Sequence, residues 1–444
     1  MAFADADEWA SEGGMMKLKL ENIGMIRSAD IKLDGLTIIA GENDTGKSTT
    51  GKLIFSLIKA FNRYEQDLNE SKTDRLLELA EKNYFQLRKT YDFEEQIEIK
   101  EWFHPRAFMR ELKKNQENPI AFFEDSIRLL EKIDAAESIN ILYFLQKLYL
   151  EDENKDLVIK RALTKALVSE FYFELTPKSN ADLISKVSLS EGVNKIFDIS
   201  IRHNEVETLA LHDDLSLNDV TYIETPIFLQ MYDLIRSTSN LFEMLEDKNK
   251  LSRPTIALHI KDLISKLENA QYSQQSSLFD DKKLNDLLTD ISTVVNGSGF
   301  YFDKQQRDFY FNKNNGTKFK SVNTATGLKA FGMIQLLIQA NVLNERSLLI
   351  IDEPEIHLHP KWQVEYAKLI VMLVKHDIPV LVTSHSPEII QALNVFGEQF
   401  GIKDRTAYYL TESDGISAEI IDVTDDINKI FFKLAEPLHN LVWD

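Results

Sequence analysis

The strongest constraint on what this chain can fold into is one short stretch, Gly41-Glu42-Asn43-Asp44-Thr45-Gly46-Lys47-Ser48, together with the segments on either side of it. Before it, Leu36-Thr37-Ile38-Ile39-Ala40 is a short apolar run that reads as a buried strand. After it, Leu53, Ile54, Leu57, Ile58 and Phe61 recur at the spacing of one helical face. The pattern G-x-x-x-x-G-K-[ST] between a strand and a helix is a phosphate cradle. Gly41 and Gly46 let the backbone turn so that several N–H groups point at one anion. The helix N-terminus adds its positive dipole end. Lys47 supplies a mobile cation for β- and γ-phosphates, and Ser48 offers a hydroxyl to Mg²⁺. Asn43, Asp44 and Thr45 complete the loop, and Thr49 follows in the first helical turn. A loop of this kind sits at the end of a buried strand, so the fold class expected is α/β.

Two further strand ends carry chemistry. Ser347-Leu348-Leu349-Ile350-Ile351 reads as a buried parallel strand that delivers Asp352 and Glu353 at its end, where open α/β sheets bind ligands. One carboxylate can hold the Mg²⁺ shell, and the next, pointing differently, can orient and deprotonate an attacking water. Val380-Leu381-Val382-Thr383 is a third such strand, ending in Ser384-His385-Ser386-Pro387. If it neighbours the Asp352 strand, His385 lies beside the terminal phosphate, where it could donate a hydrogen bond and sense the loss of that group.

Thr326 and Gly327 open an amphipathic helix marked by Phe331, Ile334, Leu337 and Ile338. They read first as an N-cap. They also make a second anion-binding helix N-terminus. One nucleotide does not need two such termini from one subunit, whereas two subunits arranged head-to-tail would use both. His357 and His359 follow the acidic pair. His-x-His with Glu355 nearby can bind zinc or another transition metal; the plainer reading is a polar loop by the nucleotide, where it could also contact a second subunit.

Along the chain, residues 1–15 read as a flexible extension, acidic and without the apolar core of a signal peptide. Residues 16–61 hold the first strands and the phosphate loop. From 62 to 182 the chain is charged, rich in Leu, Glu, Lys and Phe, and reads as a helical insertion in which 140–150 could hide a strand. Strand alternation returns over 183–226, in Val187-Ser188-Leu189 and in Ile196 to Ile201, and Pro226 stops it. A second helical insertion is expected over 227–295, and 296–444 carries the remaining motifs, with a hairpin turn at Glu412-Ser413-Asp414-Gly415.

The chain has 444 residues, 43% of them hydrophobic, enough for a sizeable buried core. With 51 basic and 71 acidic residues the net charge is −20, which disfavours wholesale binding to duplex DNA. The basic stretches Arg106 to Lys114 and Lys155 to Lys165 read as solvated helix faces. There are no cysteines, so disulfides, iron–sulfur clusters, thiolate zinc sites and a Cys nucleophile are excluded. No apolar run approaches the ~18 residues of a membrane span. The expectation is a soluble, cytoplasmic protein with no membrane contact.

In order, Gly41–Ser48, Thr326-Gly327, Asp352-Glu353 and His385 resemble the ATP-binding-cassette ATPases, in the branch that holds SMC-like and OLD-family ATPases. Glu353-Pro354-Glu355-Ile356-His357-Leu358-His359-Pro360 and Thr383-Ser384-His385-Ser386-Pro387 are similar to the stand-alone prokaryotic ATPases of phage-defence and toxin-like systems, such as Septu-type ATPases and the ATPase halves of OLD nucleases. That resemblance implies an ABC-ATPase head, a mixed two-lobe sheet around a phosphate-loop core, carrying large helical insertions. It implies ATP as nucleotide and Mg²⁺ as cofactor, with Lys47 and Ser48 on phosphate and metal, and Asp352 on the metal. Glu353 is then the catalytic base, His385 the γ-phosphate sensor, and Thr326-Gly327 the signature presented to a second subunit. It further implies a homodimer or higher homo-oligomer, with a separate effector such as a nuclease. OLD nucleases continue into a metal-dependent TOPRIM domain, for which the stretch after Pro387 reads as too short. DNA-end or recombination repair of the SMC type is the alternative. Thr326 stands where these families usually have Ser, keeping the hydroxyl. The glutamine usually found beyond the first lobe has only Gln86 and Gln96 as candidates.

Overall fold

The computed structural model describes residues 15–150, 155–172, 174–177, 182–232, 235, 256–269, 288–289 and 299–443. The expected N-terminal extension and most of 227–295 lie outside these residues. The chain divides into two compact units, one built from residues 1–62 and 163–444, the other from 63–162.

The first unit is an α/β structure organised by one mixed sheet. Its strands in chain order are β1 Met16–Ile23, β2 Ile26–Lys32, β3 Leu36–Ala40, β4 Ser185–Glu191, β5 Asn194–Arg202, β6 Glu205–Leu211 and β7 Asp219–Ile223. A small separate sheet follows, made of β8 Gly299–Asp303, β9 Asp308–Asn312 and β10 Lys318–Lys320, and the main sheet resumes with β11 Ser347–Asp352, β12 Val380–Ser384, β13 Thr406–Ser413 and β14 Ala418–Asp422. The main sheet runs β6-β5-β4-β1-β2-β14-β13-β3-β12-β11-β7. One end is antiparallel, with the alternating burial of strands that face a core on one side. The other end, β13-β3-β12-β11-β7, is parallel, and β3, β11 and β12 are buried at every position. Their continuous apolar runs are what a strand covered on both faces requires.

This parallel order positions the site. β12 lies between β3 and β11, with Ser384 opposite Ala40 and Thr383 opposite Asp352. The three motif-bearing strand ends therefore finish side by side. The neighbouring placement on which the His385 reading depended is the one found. β13 and β14 do form a hairpin, but its turn is Asp414–Ser417, two residues later than read, because Glu412 and Ser413 still pair with Glu419 and Ala418.

Helix Lys47–Thr90 leaves the phosphate loop and buries Leu53, Ile54, Leu57 and Ile58. Helices Thr326–Gln339, Pro360–Lys375 and Pro387–Gln399 bury their apolar faces in a different cluster, against Leu36, Ile38, Leu349, Ile351, Val380 and Val382 of the sheet. Phe300, Phe302, Phe309 and Phe311 of the small sheet join them. Helix Leu258–Glu268 is fastened to the start of β7 by alternating charges. Lys59 Nζ lies 2.5 Å from Asp219 and 2.7 Å from Asp262, while Lys266 Nζ lies 2.7 Å from Asp219 and 2.9 Å from Asp262.

The second unit is helical, with Ile97–Phe103, Pro105–Lys114, Pro119–Glu131 and Ala136–Leu150 around Leu87, Phe103, Phe108, Phe123, Leu130, Leu142 and Leu145. Pro105 and Pro119 open their helices at the position where a missing N–H costs nothing. The strand suspected in 140–150 is helix. Ser138, Leu142, Leu145 and Leu148 form the buried face, whereas Tyr143 and Phe144 are exposed and mask the helical period in the sequence. Strand β6 was not anticipated, because it lies at the sheet edge and buries Val206 alone, leaving a weak alternation.

Candidate functional site

The phosphate loop is shaped by contacts that only glycine permits. A Cβ on Gly41 would run into the Thr411 hydroxyl, and one on Gly46, where φ is +88°, would come within 2.7 Å of Ile26. Thr45 Oγ1 shares a hydrogen bond with Thr411 Oγ1 at 2.6 Å, so β13 braces the loop from beneath. Lys47 is buried and folds back, donating to the carbonyls of Gly41 at 3.0 Å and Glu42 at 2.6 Å. Burial pushes its ammonium pKa down, against the upward pull of Glu353, Asp352, Glu355 and Glu42. An anion in the loop would give this cation a stronger partner than two carbonyls.

Asp352 stands at the end of β11 and accepts from three hydroxyls. Ser48 Oγ donates to Oδ1 at 3.1 Å, Tyr222 OH donates to Oδ2 at 2.7 Å, and Thr383 Oγ1 donates to Oδ1. Tyr222 is fully buried, and burial first, then the Asp352 charge, drives its pKa well above the ordinary value, so it remains a donor. Among the described residues Asp352 has no ion pair. A carboxylate and a hydroxyl in contact, both hard oxygen donors, fit Mg²⁺.

Glu353 follows with φ at +48°, an unusual backbone for a side chain of its size, held by its N–H on the Thr383 carbonyl at 3.0 Å. The turn separates it from Asp352 and brings Oε1 to 3.5 Å from His385 Nδ1. Glu355, two residues later, is buried. Its Oε1 accepts from Ser384 Oγ at 2.9 Å, His385 N at 2.7 Å and Ser386 N at 3.1 Å. The structure thus brings together Lys47, Ser48, Asp352, Glu353 and His385.

Thr326 and Gly327 open their helix, but neither caps it. Ala325 occupies the cap position and makes no side-chain bond, so the first N–H groups receive no side-chain cap from it. Gly327 packs closely on Leu358, and among the described residues no hydrogen bond or ion pair joins this pair to the Lys47 loop. His357 lies in a turn at φ +63°, and His359 caps helix Pro360–Lys375 through Nδ1 on the Lys361 N–H. No cluster of three or more metal-holding groups occurs among the described residues. Gln86 and Gln96 belong to the second unit, where Gln86 bonds Glu137.

Sequence reasoning missed Tyr222, Thr383 as an Asp352 partner, and the role of Glu355. Tyr222 was visible only as the end of a strand before Pro226. Missed too was a buried ionic group beside it. His259 bonds Glu170 at 2.7 Å and Glu224 at 3.1 Å, and Lys52 of the phosphate-loop helix pairs with Glu224 at 3.0 Å.

A family model described as an AAA ATPase domain matches residues 15–390. Over 54 residues the chain is 39% identical to the Septu protein PtuA of Bacillus thuringiensis; the match takes in 12% of this chain and 13% of that protein, so it spans about an eighth of the relative. Among solved structures, the SMC head domain from Thermotoga maritima aligns with a TM-score of 0.39 at 10% identity, covering 92% of this chain and 99% of that one. The Smc head domain with an extended coiled coil bound to the C-terminal domain of ScpA, from Pyrococcus furiosus, aligns at 0.40 and 9% identity, covering 96% and 99%. No helix among the described residues is long and apolar enough to cross a membrane.

Proposed function

Because the chain belongs to the AAA ATPase domain family, we propose that it is a Mg²⁺-dependent ATP hydrolase that dimerises around nucleotide and controls a separate effector protein in prokaryotic antiviral defence. The observation that carries the reading is the convergence of the Ser48–Asp352 contact, at 3.1 Å, with Glu353 and His385 on adjoining strand ends.

Lys47 turns from the Gly41 and Glu42 carbonyls to the β- and γ-phosphates. Ser48 and Asp352 would hold Mg²⁺, which would supply positive charge where the phosphates carry negative charge. Glu353 takes a proton from the attacking water as its oxygen bonds to the γ-phosphorus. The bond to the bridging oxygen breaks, and ADP leaves with that electron pair. His385 donates to a γ-phosphate oxygen, so its loop registers whether that group is present. Thr326 and Gly327 of a second subunit close the site with their open helix N-terminus. The defence assignment is supported by the local likeness to the Septu protein.

Steady-state ATP hydrolysis with and without duplex DNA tests this, with Glu353→Gln as the blank. Turnover that ignores DNA and requires Mg²⁺ supports a switch awaiting a protein partner. Turnover stimulated many-fold by DNA overturns that reading in favour of repair, and absent turnover overturns the hydrolase assignment.

A further inference from the structure

We propose that Glu355 is the positioning residue for His385, fixing the distance at which the imidazole faces Glu353 and the terminal phosphate; the inference rests on the hydrolase reading above. His385 sits on a short loop between β12 and helix Pro387–Gln399, and its side chain is 38% exposed. A loop side chain that exposed has little packing to hold it in place.

Glu355 supplies the constraint. One buried carboxylate oxygen gathers the Ser384 hydroxyl and the successive N–H groups of His385 and Ser386. The same oxygen lies 3.2 Å from His385 Nδ1. The loop after β11, which carries Glu353, is thereby tied to the loop after β12, which carries His385. Two plainer roles fit poorly. Capping of helix Pro387–Gln399 is already performed by Ser386 Oγ, which accepts from the Ile389 N–H. Metal binding has no cluster of three or more candidate groups to support it among the described residues. The other oxygen, Oε2, is buried without a hydrogen bond, and so is His385 Nδ1. Oε1, which accepts from the loop backbone, is the part of the side chain that carries the positioning role.

The test is ATP turnover by the full chain in wild type, Glu355→Ala, Glu355→Asp, Glu355→Gln, His385→Ala and the Glu355→Ala/His385→Ala double variant, with thermal melting of each. Glu355→Ala is expected to lose kcat on the order of 10²-fold, the scale of about 1 Å of misplacement, with KM for ATP nearly unchanged. Adding Glu355→Ala to His385→Ala should then cost little more, because the two act as one unit. Glu355→Asp keeps the charge but retracts it by a methylene, so it should fall with Ala. Glu355→Gln keeps the accepting oxygen and should recover most of the loss. Should the Ala variant melt below the assay temperature, the Asp and Gln pair decides. Additive losses, a rise in KM with normal kcat, or Gln as poor as Asp overturns the positioning role. Wild type without turnover removes the hydrolase reading and this inference with it, whereas active wild type with an unaffected Glu355→Ala removes this inference alone.

Discussion

The hydroxyl of Tyr222 donates to Oδ2 of Asp352 at 2.7 Å, joining the ends of two adjacent parallel strands, β7 and β11. Ser48 and Thr383 both donate to the opposite oxygen, Oδ1, so the carboxylate is held from two sides. Partners behind a metal ligand orient it, and their removal commonly weakens metal binding by about 10- to 100-fold. Tyr222→Phe keeps the buried ring and deletes only the donor. The Mg²⁺ concentration for half-maximal ATP turnover should rise by about that factor, with turnover recovering at saturating Mg²⁺. A Mg²⁺ titration that superimposes on wild type would remove Tyr222 from the site.

On the proposed hydrolase reading, variants of Lys47 and Glu353 separate binding from chemistry. Lys47→Ala removes the one side chain of the loop able to follow the phosphates, and calorimetry should detect no ATP binding. Glu353→Gln should bind ATP but turn over at least ~100-fold more slowly, the scale of general-base catalysis, and should accumulate an ATP-bound dimer in size-exclusion chromatography. Normal turnover by Glu353→Gln would take the base role elsewhere.

The uncapped N-terminus at Thr326-Gly327 predicts complementation. A Lys47→Ala subunit and a Thr326→Ala/Gly327→Asp subunit should each be inactive alone. Mixed in equal amounts with ATP, they should regain about one working site per heterodimer. No recovery where heterodimers are detected by crosslinking would place these residues outside the active site.

The motifs at Gly41–Ser48, Asp352-Glu353 and His385 were legible because each is contiguous and follows an apolar strand. The parallel sheet made them meet as expected. Glu355 and Tyr222 were not legible. Tyr222 is separated from Asp352 by 130 residues, and no local pattern announces a hydroxyl whose partner arrives through a sheet crossover. Thr326 looked like a cap because Thr often is one, yet the chain places Ala325 at that position. The strand suspected in 140–150 failed because Tyr143 and Phe144 are apolar but exposed, which erases the helical period.

The charge cluster under β7 predicts a large stability effect away from the chemistry. Lys59 and Lys266 are each shared between Asp219 and Asp262, and Lys59 is nearly buried. Lys59→Met leaves two carboxylates with one cation, and breaking a buried pair in this way typically costs about 3–5 kcal/mol. Urea unfolding should show that loss, and a change under ~1 kcal/mol would mean that the carboxylates find solvent when Lys59 is gone.

His259 and Glu224 contribute to stability in opposite directions of pH. Burial alone would lower the His259 pKa, but its bonds to Glu170 and Glu224 outweigh that and raise it above the ordinary 6.5. The hydrogen bond from His259 lowers Glu224 from 4.5 to about 2, against its burial. A raised histidine contributes stability that is complete below 6.5 and disappears as pH rises through its folded value. A lowered carboxylate contributes stability that is complete above 4.5 and disappears as pH falls toward about 2. Both contributions are therefore full only between 4.5 and 6.5, and melting temperature against pH should peak there. His259→Gln cannot take up the proton, so its curve should lose the decline on the alkaline side while keeping part of the acid one. An alkaline limb that survives the substitution unchanged would assign that decline to groups other than His259.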